Sequence, residues 1–262
     1  MASAFPTLTS SSVNPLRNRC INTSFASLNR EISTSGVQIT EGVGKLPKLV
    51  LLFMVGIEAE IYLFGGCITS WKVANGKDLL FVRPDAVFNG QKPISGGIPH
   101  CFPQFGPGPM QQVTLNSKSL STKFIITNTD KKPFSFSSAL HTYFRASVTG
   151  ASVKGLKGCK TLNKDPDPSN PLEGKEKREV IAFPGFVDCV YLDTPNELHL
   201  DNGLGDKISI KNTNWTDAVL WNLHLQMESC YQDFVCVENA KIGKVHLEPE
   251  QSWVAEQQLS FG

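Results

Sequence analysis

The chain has 262 residues, 40% of them hydrophobic, which is ample for one sizeable core, since single all-β domains often run to about 200–250 residues. Its 25 basic and 24 acidic side chains leave a formal net charge of +1, which argues against a nucleic-acid or membrane-surface partner. Seven scattered cysteines without a CxxC pair argue against the disulfide framework of a small secreted domain and against a zinc site, and read as mostly reduced thiols.

Residues 1–30 contain no Asp or Glu but hold Arg17, Arg19, Arg30 and the serines Ser3, Ser10, Ser11, Ser12, Ser24 and Ser27. That is the composition of an organelle transit peptide, without the apolar stretch of a secretory signal. The Met-Ala-Ser opening and the Ser/Thr content lean toward a plastid. The expected division is a leader or disordered tail over 1–40 and a single folded domain over 41–262, resident in the chloroplast stroma. Leu49 to Ile57 is an apolar run far short of the ~20 residues that a membrane span needs. It reads as a buried strand leading into a turn at Gly56. Glu58 to Phe64 alternates as the next strand, and Gly65-Gly66 marks a bend. Cys67 to Val73 follows, with Trp71 as a core anchor. Asn75-Gly76 then signals a hairpin with Leu79 to Val82 as the returning strand.

Residues 83–112 are dense in Gly and Pro, which a sheet interior does not hold. The segment reads as a long irregular loop, and ordered loops of that length are usually functional. Strands are expected at 119–127, 134–141, 151–156, 179–183, 189–193, 196–201, 206–212, 218–221, 233–238, 245–248 and 252–260. The charged stretch 163–179 is expected to be an exposed loop. Turn signals every 8–12 residues point to an all-β sandwich or barrel. No convincing amphipathic helix is visible beyond a short turn near 226–230. Nor is there a phosphate-binding GxGxxG or P-loop, an HExxH or a GxSxG.

The titratable residues at informative places are His141, Asp188, Glu238 and His100. His141 ends the strand Phe134 to Leu140, just before Tyr143 and Phe144. Rings around a histidine tune its proton affinity, although taken alone it reads as a packed or surface histidine without chemistry. Glu238 ends the apolar run Phe-Val-Cys-Val. A carboxylate there is costly unless paired or working, or else it points to solvent. Asp188 stands at the mouth of a strand, where an Asp caps a turn equally well. Trp221-Asn222 suits a sugar face or a plain sheet edge. A histidine with a carboxylate is the minimal pair for moving protons on and off oxygen at neutral pH, but it does not name a reaction. His100-Cys101 has no identifiable orienting group for a nucleophilic cysteine.

Six ordered blocks carry a resemblance. They are Gly65-Gly66 with Ile68 to Trp71; Gly96-Gly97-Ile98-Pro99 with Phe102-Pro103-Gln104-Phe105-Gly106; Leu140 to Phe144; Val187 to Tyr191; Val219 to Asn222; and Cys236-Val237-Glu238. From about residue 46 to the end, the chain resembles the plant branch of the glucose-6-phosphate 1-epimerase family, in the galactose mutarotase-like superfamily. The resemblance implies a large antiparallel β-sandwich with a sugar site on a concave sheet face. It implies interconversion of the α and β anomers of glucose 6-phosphate or a related hexose 6-phosphate, by a monomer without metal or organic cofactor. It makes Glu238 the catalytic base and His141 the acid, and it makes Asp188 a ligand of sugar hydroxyls. Gln104, Trp221 and Asn222 join the expected substrate-binding set.

The chain departs from the family pattern at two places. Members continue from the Phe-Pro-Gln-Phe-Gly loop into a His-Gly-Phe-Ala-Arg motif and further strands, whereas Met110-Gln111-Gln112 runs directly into Val113-Thr114-Leu115. An arginine often precedes Gly-Gly-Ile-Pro, where this chain has Ser95. A phosphate dianion is best held by arginine forks. Arg83 and Lys92 are the nearest basic residues left in the loop to replace them. The sandwich is therefore expected to be truncated internally. The alternative function is a catalytically impaired mutarotase-like module, binding carbohydrate or serving as a structural subunit of a plastid complex.

Overall fold

The computed structural model describes residues 35–54, 56–102 and 110–262. Residues 1–34 of the leader expected over 1–40, and the loop residue Gln104, lie outside the described residues. In chain order the strands are β1 (Ser35–Glu41), β2 (Pro47–Phe53), β3 (Glu58–Tyr62), β4 (Cys67–Lys72), β5 (His100–Cys101), β6 (Met110–Leu115), β7 (Ser119–Thr127), β8 (Phe134–Leu140), β9 (Tyr143–Arg145) and β10 (Ser152–Lys154). The second half adds β11 (Lys160–Asn163), β12 (Leu172–Lys175), β13 (Val180–Ala182), β14 (Val187–Leu192), β15 (Glu197–Asp201), β16 (Lys207–Thr213), β17 (Asp217–Asn222), β18 (Phe234–Leu247) and β19 (Ser252–Phe261). The helical segments are single turns, among them His224–Met227 and Tyr231–Asp233.

Among the described residues every pairing is antiparallel, and three sheets result. A four-stranded sheet runs β1-β2-β3-β4. A seven-stranded sheet runs β13-β10-β15-β16-β19-β7-β6, and an eight-stranded sheet runs β12-β11-β14-β17-β18-β8-β5, with β9 also paired to β18. Alternation decides which face each strand buries. Along β7, Leu120, Thr122, Phe124 and Ile126 turn inward between more exposed neighbours. From the eight-stranded sheet, Val235, Val237, Leu220 and Phe136 meet them in one apolar cluster that also holds Trp71, Phe144 and Trp215. The fold is thus an all-β antiparallel sandwich, one of the two architectures to which the turn spacing points.

Several local expectations need correction. The run Leu49 to Ile57 is strand β2 followed by a turn at Gly56 (φ 80), but β2 is half-buried, because Leu49 and Leu51 pack on the core and the rest does not. Residues 79–82 return from the Asn75-Gly76 turn without forming a strand. Isolated bridges tie Lys72 to Asp78, Leu80 to Phe144 and Val82 to Gly96, so this segment stitches elements together from the interior. The segment 163–179 is not loop throughout, since β12 pairs with β11 there although all four of its residues are exposed. The two strands expected at 233–238 and 245–248 are one, β18, with a register shift between Lys241 and Val245. β1, Ser35–Glu41, pairs along the whole of β2, and all but its last residue falls in the segment 1–40 expected as leader. The six described cysteines are free thiols.

Candidate active site

The outer face of the eight-stranded sheet carries the candidate chemistry. Asp188 pairs with Trp221, Trp221 with Cys236, and Cys236 with Tyr143, so these four residues form one row across β14, β17, β18 and β9. Two positions along, Val190, Val219 and Glu238 form the next row on the same face. Their neighbours Tyr191, Leu220 and Val237 point the other way, into the sandwich core. Val190, Val219 and Ala240 make the apolar floor, with Ala139, Leu162 and Trp221 packed on it.

His141 follows β8 and is held by its N–H, which donates to the Pro99 carbonyl at 3.0 Å. Its ring stacks on Tyr143 with centroids 4.6 Å apart and planes 11° apart. Trp221 meets the same ring edge-on at 5.2 Å. Within this box, His141 Nδ1 lies 3.3 Å from Glu238 Oε1, with only 12% and 7% of the two side chains exposed. Distant segments thus deliver a carboxyl and an imidazole to one point.

Burial sets the proton affinities of both. It pushes the Glu238 carboxyl up to about 8; the positive charge of Lys164 opposes the rise and the negative charge of Asp188 adds to it. Burial holds the His141 imidazole down at about 4; its own backbone carbonyl opposes this, and the positive charges of Lys164 and Arg83 reinforce it. Between those values the pair keeps one proton. With these affinities the proton rests on Glu238 and His141 is neutral, and the 3.3 Å contact is the path by which it can pass to His141.

The structure brings Asp188 and Trp221 onto this face with the pair. Asp188 is mostly buried, and its Oδ1 lies 3.3 Å from Lys164 Nζ. Arg83 stands at the opposite flank, beside Tyr143, but its Nε and Nη2 donate to Asp85 at 2.9 and 2.6 Å. Two expectations fail. Asn222 is fully buried, and its Nδ2 donates to the Tyr231 and Phe234 carbonyls at 2.9 and 2.8 Å while its Oδ1 accepts from the His224 N–H. One residue along the strand from Trp221, it faces the other way and fastens the turn that precedes β18. Lys92 is exposed in a turn capped by Asn89. His100 is a core residue against Phe124, held at about 4 by burial. Lys164 belongs to the site and was hidden in the charged stretch read as loop. Among the described residues, no group of three His, Cys, Asp or Glu side chains is arranged to hold a metal ion. Among the described residues, no helix is long and apolar enough to cross a membrane.

Comparison with known proteins gives consistent results. A model of the aldose 1-epimerase family matches residues 49–113 and 111–260. A protein from Cenchrus ciliaris provisionally named a glucose-6-phosphate 1-epimerase is 30% identical, with 79% of this chain and 82% of that protein covered. A protein of the same provisional name from Escherichia coli K12 is 26% identical over 70% of this chain and 80% of its own length. Among solved structures, a provisionally named mutarotase from Salmonella typhimurium superposes with a TM-score of 0.68 at 19% identity, covering 86% of this chain and 97% of that one. A galactose mutarotase-like protein from Clostridium acetobutylicum gives 0.67 at 13% identity, covering 87% and 99%. The fold is therefore galactose mutarotase-like. The family match falls into two pieces that meet at residues 111–113. The Cenchrus ciliaris alignment spans 278 positions while using 79% of the 262 residues, so about 70 of its positions have no residue in this chain.

Proposed function

The chain belongs to the aldose 1-epimerase family, and from that premise we propose that it interconverts the α and β anomers of a hexose 6-phosphate, glucose 6-phosphate first among them. One observation carries this reading: His141 Nδ1 and Glu238 Oε1 meet at 3.3 Å in a box of rings. The proton that rests on Glu238 first passes across the contact to His141; Glu238 then takes the proton of the anomeric hydroxyl as His141 gives one to the ring oxygen. The hemiacetal opens, the aldehyde rotates about C1–C2, and closure on the other face reverses both transfers. Each positioned proton-transfer group contributes about 10²–10⁴-fold. Anomerisation already proceeds in water, so two such groups suffice. Trp221 offers an apolar ring face to the sugar, and Asp188 accepts from its hydroxyls.

Polarimetry of freshly dissolved α-glucose 6-phosphate, or an anomer-specific dehydrogenase coupled to the reaction, tests the proposal. Equilibration no faster with the purified chain than with buffer sinks it. The alignment gap favours a second reading, a carbohydrate-binding or structural module with impaired catalysis. That reading requires sugar binding or complex formation with no anomerisation. The composition of residues 1–30 supports a plastid location for either; a fluorescent fusion of residues 1–46 that stays in the cytosol would overturn it.

A further inference from the structure

We propose that Lys164 binds the phosphate dianion of a hexose 6-phosphate and so separates phosphorylated from free sugars at this site. The inference rests on the mutarotase reading above. Lys164 follows β11 directly, and its N–H donates to the Asp188 carbonyl at 2.9 Å, which fixes its backbone beside the site face. Its Nζ lies 3.3 Å from Asp188 Oδ1, and 36% of its side chain is exposed. An ammonium has three donors, so contact with one carboxylate leaves two for a ligand. Asp188 can then hold a sugar hydroxyl while Lys164, at the rim, meets the phosphate. Lys164 is close enough to influence both Glu238 and His141.

The other cations are worse placed. Arg83 has two of its donors on Asp85. Lys92 is exposed, in a turn where its backbone N–H donates to Asn89 Oδ1. The break between the two pieces of the family match falls at residues 111–113, which is where added chain would stand. That gap is on the β5 side of the sheet, whereas β11 lies three strands from β18 toward the opposite edge. Three strand spacings are about 14 Å at the backbone. An extended lysine side chain and the length of a hexose phosphate together cover that span.

The test compares Lys164→Met, Lys164→Arg and the control Lys92→Met in the full chain. Anomerisation of glucose 6-phosphate and of glucose is followed by polarimetry, and binding of each by calorimetry. Both sugars use the same acid and base, so the ratio of their kcat/KM values isolates the phosphate contact. In Lys164→Met the ratio should fall by about 10- to 100-fold, mostly through KM. Lys164→Arg should restore most of it, and Lys92→Met should leave it alone. Lys164→Gln replaces the Met variant if that one does not fold. An unchanged ratio, or an equal fall in Lys92→Met, overturns the inference. If the native chain accelerates neither sugar, the mutarotase reading fails by itself and Lys164 is judged by calorimetry. Glucose 6-phosphate must then bind more tightly than glucose and lose that margin in Lys164→Met; equal affinities overturn the role of Lys164.

Discussion

Replacing Glu238 by Gln keeps the side chain's shape and removes its carboxylate. In the folded chain, burial raises this carboxyl from the ordinary 4.5 to about 8. Between those values the folded state holds a proton that the unfolded state has released, so stability falls as pH rises. His141 acts in the opposite sense. Its imidazole is held at about 4 against an ordinary 6.5, so between those values the unfolded state binds the extra proton and stability rises with pH. The two slopes offset each other from about pH 4.5 to 6.5, and above that Glu238 acts alone. At about 1.4 kcal/mol per pH unit, the native chain should lose about 2 kcal/mol between pH 6.5 and 8 relative to Glu238→Gln, which has no proton to release. Urea denaturation at the two pH values measures this difference directly. The same variant should anomerise glucose 6-phosphate at least about 10²-fold more slowly. Parallel stability profiles would refute a buried, protonated Glu238. An unchanged rate would refute its role as the base.

Initial rates across pH should form a plateau between about 4 and about 8 and fall on both sides, because only there does the pair carry one proton; a monotonic profile would contradict this. Asn222→Ala should destabilise the fold by about 3 kcal/mol in chemical denaturation, since it breaks three hydrogen bonds to backbone groups, with no preferential rise in KM for the sugar. Gly97→Ala should cost more than about 3 kcal/mol, for a Cβ there would sit 2.0 Å from the Ile68 carbonyl oxygen at a φ of +68; normal soluble expression with an unshifted melting temperature would rule this out. Gln257→Leu should cost about 1–3 kcal/mol and also lower kcat. Its Nε2 donates to Asn239 Oδ1 at 2.7 Å and Thr142 Oγ1 at 3.3 Å, the residues following Glu238 and His141 in the chain; a stability loss with unchanged kcat would leave it a purely structural tie.

The strands were legible because most of them bury one face, and period two survives in the sequence wherever that is so, as in β7 and β16. Strand β12 was invisible for the converse reason: all four of its residues are exposed, and it pairs only because it returns on β11. His141 and Glu238 could be suspected separately, but their meeting depends on β18 pairing with both β8 and β9, a long-range register that no local pattern encodes. Asn222 shows the reverse error. Its adjacency to Trp221 suggested a shared sugar face, yet adjacent residues in a strand face opposite ways, and that alone placed them apart. Lys164 had no local signal at all, being one cation among many in a charged stretch, and only the pairing of β11 with β14 brings it beside Asp188.

The missing segment is placed so that it trims one flank of the site and spares the other. The break in the family match falls at the start of β6, which is the last strand of the seven-stranded sheet. The preceding β5 has two residues and ends the eight-stranded sheet on the side where His141 is tied to Pro99. Among the described residues both sheets therefore end beside that break, the eight-stranded one on a strand of only two residues. The row Asp188, Trp221, Cys236 and Tyr143 lies entirely on strands β14, β17, β18 and β9, which the gap does not touch. The proton-transfer pair and the Asp188–Lys164 flank therefore persist without the segment. If anomerisation survives in this chain, the phosphate contact has to be made from the β11 side; if it does not, what has been lost is grip on the substrate and not the acid–base pair.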